Sequence, residues 1–426
     1  MKSNKLGLLI ITATVTIGIL SFTHRDKAGK SIEKLSGSVV LQWNEIAFKA
    51  FDGPLYQHSL MAARINAMTH LAMHDAANAV YPRYATYKFK ERDAAADPIA
   101  AVTTAAYTVL VHEIPAKKNF LDSAWQQSLA LIKKTEAKRR GIALGKKAAQ
   151  AILDDRAKDG AAADPLGQIA PSTAPGVYQA VPPFNIVFAP HWENVKLFSL
   201  HTKDQFRPGP HPALNSAEYA AAYNEVKEKG KLNSTVRQAD QTAYAKFWYE
   251  FSEAGWNRVA RTAIINKKLN LLDAARVLAL VDMAMADAYT AGWDAKFHYN
   301  FWRPYTAIRN AESDNNEATA SEKNWEPSEP TPPVHDYPST HSALGNAGAT
   351  VLARLIGDNI PFTMTSFTAI PSGSTRPFKS FSQAANENAD SRVMAGIHFR
   401  FSCEAGQELG NKIGHWTVDN YLKPVK

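Results

Sequence analysis

One cysteine, Cys403, in 426 residues excludes an intramolecular disulfide. It equally excludes a thiolate zinc site, an iron–sulfur cluster and a c-type haem attachment, each of which needs more sulfur than one residue supplies. Redox chemistry in this chain would have to use an organic cofactor or a metal held without sulfur. Strand periodicity is also missing: no series of period-2 segments and no internal repeat is visible, so the expected fold class is all-α. Acidic residues are outnumbered, 40 against 48 basic ones, for a formal charge of +8. Such an excess attracts anions; its plainer reading is a solvated lysine surface. The densest basic cluster, Lys138-Arg139-Arg140 followed by Lys146-Lys147, comes with no recognition motif, so no nucleic-acid partner is expected.

The start of the chain reads Lys2, Lys5, an uncharged run over residues 6–22, then His24-Arg25-Asp26-Lys27. A basic start and an apolar core mark an export signal, although the run is also close to the length of a short membrane anchor. Residues 1–23 are therefore expected to be a signal peptide or N-terminal anchor, and the main body to be exported, periplasmic or extracellular. Membrane contact is expected only if that segment stays uncleaved.

Residues 40–54 look irregular or strand-like. Helical spacing then covers residues 60–80, and Asp97-Pro98 opens a second helix that closes before Pro115. Further helical stretches cover 120–134 and 136–158. Nine prolines between Pro165 and Pro212 forbid a long helix there, and this segment is expected to drape over the helices and shape a pocket entrance. Helical pattern returns at 217–229, 235–251 and 272–293. After an irregular proline-rich stretch at 312–338 it returns again near 341–356 and 406–421. An N-terminal helical region over 40–230 and a C-terminal one over 231–426 follow, the second carrying the chemistry.

Three segments of that second region stand out. In the first, Lys296 and Arg303 are seven apart, two turns of a helix, so both cations can share one face amid Trp293, Phe297, Tyr299, Phe301 and Trp302. Buried cations need an anion, and a guanidinium suits an oxyanion. In the second, Tyr337-Pro338-Ser339-Thr340-His341 ends a proline-rich loop and opens a helix, whose N-terminal N–H groups and Ser339 hydroxyl form an anion hollow. An ordinary serine N-cap accounts for Ser339 equally well. In the third, Arg392 and His398 are six apart and converge only if the chain bends between them, for which Gly396 is the candidate.

In this order the segments match Lys-x6-Arg-Pro, Pro-Ser-Gly-His and Ser-Arg-x5-His. The chain thereby resembles the vanadium-dependent haloperoxidases, in their chloroperoxidase-like branch, within the type-2 phosphatidic acid phosphatase superfamily. The likeness covers about residues 272–422, with weaker echoes at 68–81 and 235–251. It implies an all-α fold of paired four-helix bundles with long proline-rich irregular segments. It implies vanadate as cofactor, with Lys296, Arg303 and Arg392 neutralising its oxygens. Ser339 and the Thr340 N–H would hydrogen-bond to it, and His398 would ligate the metal. His341 would be the acid–base residue, counted with Lys296 as catalytic. Hydrogen peroxide and halide would be the substrates, with an organic acceptor as a further partner. The oligomeric state stays open.

The chain departs from the pattern in three places. Thr340 replaces the usual glycine. Ser402 stands four after His398, where the superfamily commonly has an aspartate that orients the histidine; Ser402, Glu404 or a backbone carbonyl would have to serve. Val334, five before Ser339, stands where chloride-oxidising relatives have an aromatic residue, so halide preference does not carry over. Two other functions compete. An acid phosphatase would use His398 as nucleophile, forming a phosphohistidine, with His341 protonating the leaving group. Ser402 speaks against so oriented a nucleophile. A low-activity binding protein on the same scaffold is the third reading. His70-x3-His74-Asp75 has the spacing of a metal pair but is read as satisfied helix packing. Phe247-Trp248-Tyr249, Met283, Met285 and Cys403 are read as core.

Overall fold

The first helix of the described residues lies where the sequence pattern looked least helical. In a computed structural model that describes residues 32–130, 132 and 135–425, α1 runs Ser38–Ala50. This corrects the strand-like expectation for residues 40–54. Val40, Trp43, Ala47 and Ala50 are buried at helical spacing, so burying one apolar face outweighs the β-propensity of valine and isoleucine. The leader expected at residues 1–23 lies outside the described residues.

Next come α2 (Ser59–Val80), α3 (Pro98–Glu113), α4 (Lys118–Ala130) and α5 (Thr135–Arg156). The Asp97 side chain accepts the Ala100 N–H at 2.8 Å, capping α3 as its sequence position predicts. Residues 160–215 hold only the two-residue strands β1 (Leu166–Gly167) and β2 (Val187–Phe188) and a short 3₁₀ turn, Pro190–Asn194. The second half contains α6 (Ala217–Lys229), α7 (Ala239–Phe247), α8 (Ser252–Asn266), α9 (Leu271–Tyr299) and α10 (Pro304–Arg309). It continues with α11 (Thr340–Ile356), the antiparallel hairpin β3 (Phe362–Thr365) and β4 (Thr375–Phe378), α12 (Phe381–Met394) and α13 (Arg400–Asn420).

α9 is the axis of the molecule. It is buried almost all round from Leu271 to Lys296, as a helix must be that packs on neighbours from several directions. It packs against α2 from the N-terminal group, where α2, α3 and α5 are in mutual contact. It also packs against α11 and α13 from the C-terminal group, where α11 contacts α12 and α13. A single apolar core extends from Ile32 to Leu422 through both groups.

Three further elements differ from the sequence expectation. The expected helix over 235–251 stops at Phe247, and a separate α8 begins at Ser252. α9 extends six residues past residue 293 and then ends in a left-handed Asn300 (φ 48°). α12 was not foreseen, its polar and alanine residues giving little amphipathic signal. Among the described residues no single helix is long and apolar enough to cross a membrane. The basic cluster is paired surface charge: Arg139 meets Glu136, Arg140 meets Asp93 and Lys147 meets Glu91.

Candidate active site

The ends of several helices meet at one buried point. Lys296 lies in the last turn of α9 and is fully buried. Its Nζ donates to the carbonyls of His335 (2.6 Å) and Asp336 (2.9 Å), leaving one ammonium hydrogen for another acceptor. Arg303 does not continue the same helix. It sits beyond the Asn300 turn as N-cap of α10, so a turn of the chain rather than a shared helical face brings the two cations together. Arg303 donates from Nε to the Val334 carbonyl (2.6 Å) and from Nη1 to the Ile397 carbonyl (2.7 Å).

Arg392 closes the group from the last turn of α12, at 2% exposure. Its Nη1 donates to the Trp248 carbonyl at 3.0 Å, its guanidinium lies 5.6 Å from the Tyr249 ring, and its buried Nε has no partner. The break between α7 and α8 is therefore part of the site. It frees the Trp248 carbonyl for Arg392 and the Glu250 carbonyl for His341, whose Nε2 donates to it at 2.8 Å. The bend expected at Gly396 is present. α12 ends at Met394, Gly396 has φ +79°, and a Cβ there would meet the Gly230 carbonyl oxygen at 2.3 Å.

His398 follows in that turn, with Nε2 accepting from Arg303 Nη1 at 3.0 Å. Its Nδ1 lies 2.9 Å from Asp336 Oδ1, an oxygen with no other hydrogen-bond partner, in a contact oblique to the ring N–H. Asp336 Oδ2 accepts the Ser402 hydroxyl. The acceptor beside His398 is thus neither Ser402, Glu404 nor a carbonyl, as expected, but an aspartate from a different segment, with Ser402 behind it.

Ser339 caps α11, accepting from the Ser342 N–H (3.4 Å) and the Ser342 hydroxyl (3.0 Å), which leaves its own hydrogen to donate. The first N–H groups of α11, Thr340 among them, have no intrahelical acceptor. Thr340 turns its methyl onto α9. A Cβ at Gly292 would meet Thr340 Cγ2 at 2.3 Å, so the missing side chain at Gly292 is the space that the threonine fills.

Electrostatics set the chemistry. Among the described residues Lys296 and Arg392 have no carboxylate in ion-pair range, and Arg303 reaches Asp336 only at 3.9 Å. Burial pushes Lys296 well below the usual lysine range, with Arg303 adding to it, and holds Arg392 down at about 10. Burial, then the nearby cations, push His398 and His341 well below an ordinary imidazole. Asp336 is raised to about 6 by burial, against the pull of Arg303 and Lys296. Three buried cations against one carboxylate, with an orphaned guanidinium Nε and a free helix N-terminus, form a site deficient in one thing, an anion.

Three further groups reach this pocket that the sequence did not single out as its members. The proline-rich segment does drape over it: Phe188 N–H donates to the Pro333 carbonyl at 2.8 Å, and Tyr178 N–H to Asn300 at 2.9 Å. The buried Tyr178 hydroxyl has no partner, and its ring packs 4.5 Å from that of His335. His335, held down to about 3 by burial and the two nearby cations, has an unpartnered Nδ1. An aspartate three residues before Ser339, inside the second segment, was the available signal for Asp336; nothing in the sequence marks Tyr178 or the two carbonyls.

Of the residues read as packing, the two histidines and most of the rest are buried, whereas Tyr249 is only half-buried. His70 Nδ1 lies 2.6 Å from Asp282, and His74 Nδ1 3.1 Å from Asp75, whose carboxylate accepts three backbone N–H groups. Phe247, Trp248, Met283 and Met285 are core, though Trp248 also serves the site through its carbonyl. Cys403 is fully buried, its thiol pushed up to about 12 by desolvation.

Fold and site together define a mainly helical protein with a buried, cation-lined site. The sequence model of the VCPO second helical-bundle domain matches residues 276–426. The chain is 24% identical to the vanadium chloroperoxidase of Curvularia inaequalis over an alignment of 497 residues, covering 88% of this chain and 81% of that protein. The crystal structure of a bacterial vanadium-dependent iodoperoxidase superposes with a TM-score of 0.80 at 25% identity, over 92% of this chain and 98% of the other. A bacterial vanadium-dependent chloroperoxidase in its holo form shares the fold, with a TM-score of 0.69 at 15% identity, over 84% of this chain and 91% of that one. By sequence over its second half and by fold over most of its length, the chain is similar to the vanadium-dependent haloperoxidases.

Proposed function

We propose that this protein is a peroxide-dependent haloperoxidase that holds vanadate between Lys296, Arg303, Arg392, Ser339, the Thr340 N–H and His398. The observation that carries the proposal is the charge imbalance: three desolvated cations converge where a single carboxylate is turned toward an imidazole instead. Vanadate fits that donor set. Its negative oxygens need the ammonium hydrogen that Lys296 has left, the orphaned Nε of Arg392, the Ser339 hydroxyl and the first turn of α11. Its metal needs a neutral nitrogen, which His398 Nε2 offers once Arg303 turns to the anion. When bound, vanadate supplies Lewis acidity that makes peroxide electrophilic toward halide.

The protein's own part is to hold that anion dry and to manage protons. His341, anchored through Nε2 to the Glu250 carbonyl, is the acid–base group. Burial, and after it the charges of Arg392 and Arg303, hold this histidine low, and an anion bound beside those cations would offset the second contribution and raise its proton affinity. Tyr178 and His335, with Val334 beside them, form the wall on the proline-rich side and are the residues assigned to halide access. Export of the main body rests on the basic, apolar start of the chain alone.

A second reading keeps one specific observation in its favour. Asp336 supplies the acceptor that a nucleophilic His398 needs, so the argument from Ser402 against a phosphohistidine phosphatase lapses. One paired assay separates the two. Peroxide-dependent oxidation of bromide and iodide is followed with and without orthovanadate, beside release of nitrophenol from its phosphate ester. Halide oxidation should require vanadate and be inhibited by phosphate. Oxidation that survives removal of vanadate would overturn the proposal, and ester hydrolysis without halide oxidation would favour the phosphatase.

A further inference from the structure

We infer that Asp336 is the positioning residue for His398, and that it replaces, from a separate loop, the aspartate that the superfamily carries where this chain has Ser402. The inference deepens the reading of His398 as the metal-binding nitrogen and rests on it for its functional consequence, though not for its geometry.

Asp336 is held at every polar atom but one. Its N–H donates to the Phe301 carbonyl at 2.9 Å and its own carbonyl accepts from Lys296 Nζ at 2.9 Å, so the backbone is tied to the α9–α10 junction. On the side chain, Oδ2 accepts the Ser402 hydroxyl from the first turn of α13. The remaining oxygen, Oδ1, is buried, has no hydrogen-bond partner, and stands 2.9 Å from His398 Nδ1. In a pocket of three cations a carboxylate would ordinarily be drawn into an ion pair. Here the ion pair with Arg303 is loose, at 3.9 Å, and the nearer contact of the carboxylate is the imidazole. The cations therefore stay available to an anion, and the imidazole acquires an acceptor on one side only.

The consequence for His398 is a defined tautomer. With a carboxylate at Nδ1 the ring hydrogen sits there, and Nε2 is left as the unprotonated nitrogen. The Nδ1 contact is oblique, and Arg303 Nη1 lies over the ring, 3.0 Å from Nε2 and 3.5 Å from Nδ1. An oxyanion that draws Arg303 away lets the ring turn into line with Oδ1. Ser402 and Asp336 touch, so exchanging serine and aspartate between positions 402 and 336 returns a carboxylate to nearly the same volume.

The exchange supplies the test. The variants are Asp336→Ala, Asp336→Asn, Asp336→Ser, and Asp336→Ser combined with Ser402→Asp; each is checked for wild-type helicity by circular dichroism. Two readouts are taken: orthovanadate affinity by calorimetry, and the ¹⁵N spectrum of histidine-labelled protein without vanadate, with the His398 signals assigned by their loss in His398→Ala. Wild type should show His398 protonated at Nδ1. Asp336→Ala should lose that single tautomer and weaken vanadate binding by about 10–100-fold, the usual effect of removing an outer partner of a metal-binding histidine. Asp336→Asn keeps an acceptor and should fall between, which keeps the test alive if the alanine variant does not fold. The double exchange should bind more tightly than Asp336→Ser alone and regain the Nδ1–H signal. A wild-type tautomer in Asp336→Ala, or a double exchange no better than Asp336→Ser, would overturn the inference. If wild type itself fails to bind vanadate, the proposed function falls, while the nitrogen spectra still decide the role of Asp336.

Discussion

Gly292→Ala, alone and with Thr340→Gly, tests how this chain accommodates a threonine at the position where the motif it resembles has glycine. The added methyl would stand 2.3 Å from Thr340 Cγ2 and 3.6 Å from its Cβ. Carbons at rest are about 3.5–4.0 Å apart, so something must move by more than about 1 Å. Thr340 cannot swing aside freely: it is 8% exposed, β-branched, and begins α11. Overpacking of this kind costs about 1–3 kcal/mol. Alanine in place of glycine inside a helix returns about 1 kcal/mol. Gly292→Ala should therefore destabilise by roughly 0–2 kcal/mol, the net of those two terms. Thr340→Gly removes the clash and leaves the helix gain, so the two substitutions together should be about 1–3 kcal/mol more stable than the sum of the singles. Urea denaturation at constant m-value gives the cycle. Vanadate affinity should follow it, since displacing Thr340 moves an N–H assigned to the anion: weaker by at least about tenfold, roughly one lost charged hydrogen bond, in Gly292→Ala and recovered in the pair. Additivity within about 0.5 kcal/mol would show that the methyl group is not lodged on α9 as described.

Arg303→Lys keeps the charge but loses the fork that now reaches Val334, Ile397 and His398, so vanadate affinity should fall at least about tenfold by calorimetry; unchanged binding would mean that charge alone suffices. His398→Ala should lose vanadium by metal analysis, whereas His341→Ala should retain binding and lose turnover by about 10²–10⁴-fold; the opposite pattern would exchange their roles. Glu253 is buried between the hydroxyls of Tyr56 (2.5 Å) and Tyr289 (2.9 Å), and desolvation raises it to about 7. As its folded value lies above its unfolded one, the stability it contributes is full below about pH 4.5 and is lost as pH rises through about 7, on the order of 3 kcal/mol in all. Chemical denaturation between pH 5 and 8 should show that loss in wild type and a much flatter profile in Glu253→Gln; equal profiles would place the titration elsewhere.

Residue types alone left each of the three segments ambiguous, and it was their resemblance, in order, to the haloperoxidase motifs that marked Lys296, Arg303, Ser339, Arg392 and His398 as one site. The helical class was legible because helical periodicity is local. Gly396 was legible for the same reason: a bend was required between Arg392 and His398, and glycine alone there accepts φ +79°. What the sequence could not determine depends on groups far apart in the chain. Arg303 meets Lys296 through a turn at Asn300 and not along a helix, because residues beyond Tyr299 are bound to the 176–178 segment by backbone hydrogen bonds. The Trp248 and Glu250 carbonyls reach the site because a helix stops there, and a carbonyl has no sequence signature at all. Asp336 is the clearest case. Sequence spacing put the missing acceptor near Ser402; folding put it 66 residues earlier, where the loop before α11 passes the start of α13. A carboxylate is recruited by what surrounds it in space, and only packed helices decide which distant loop provides it.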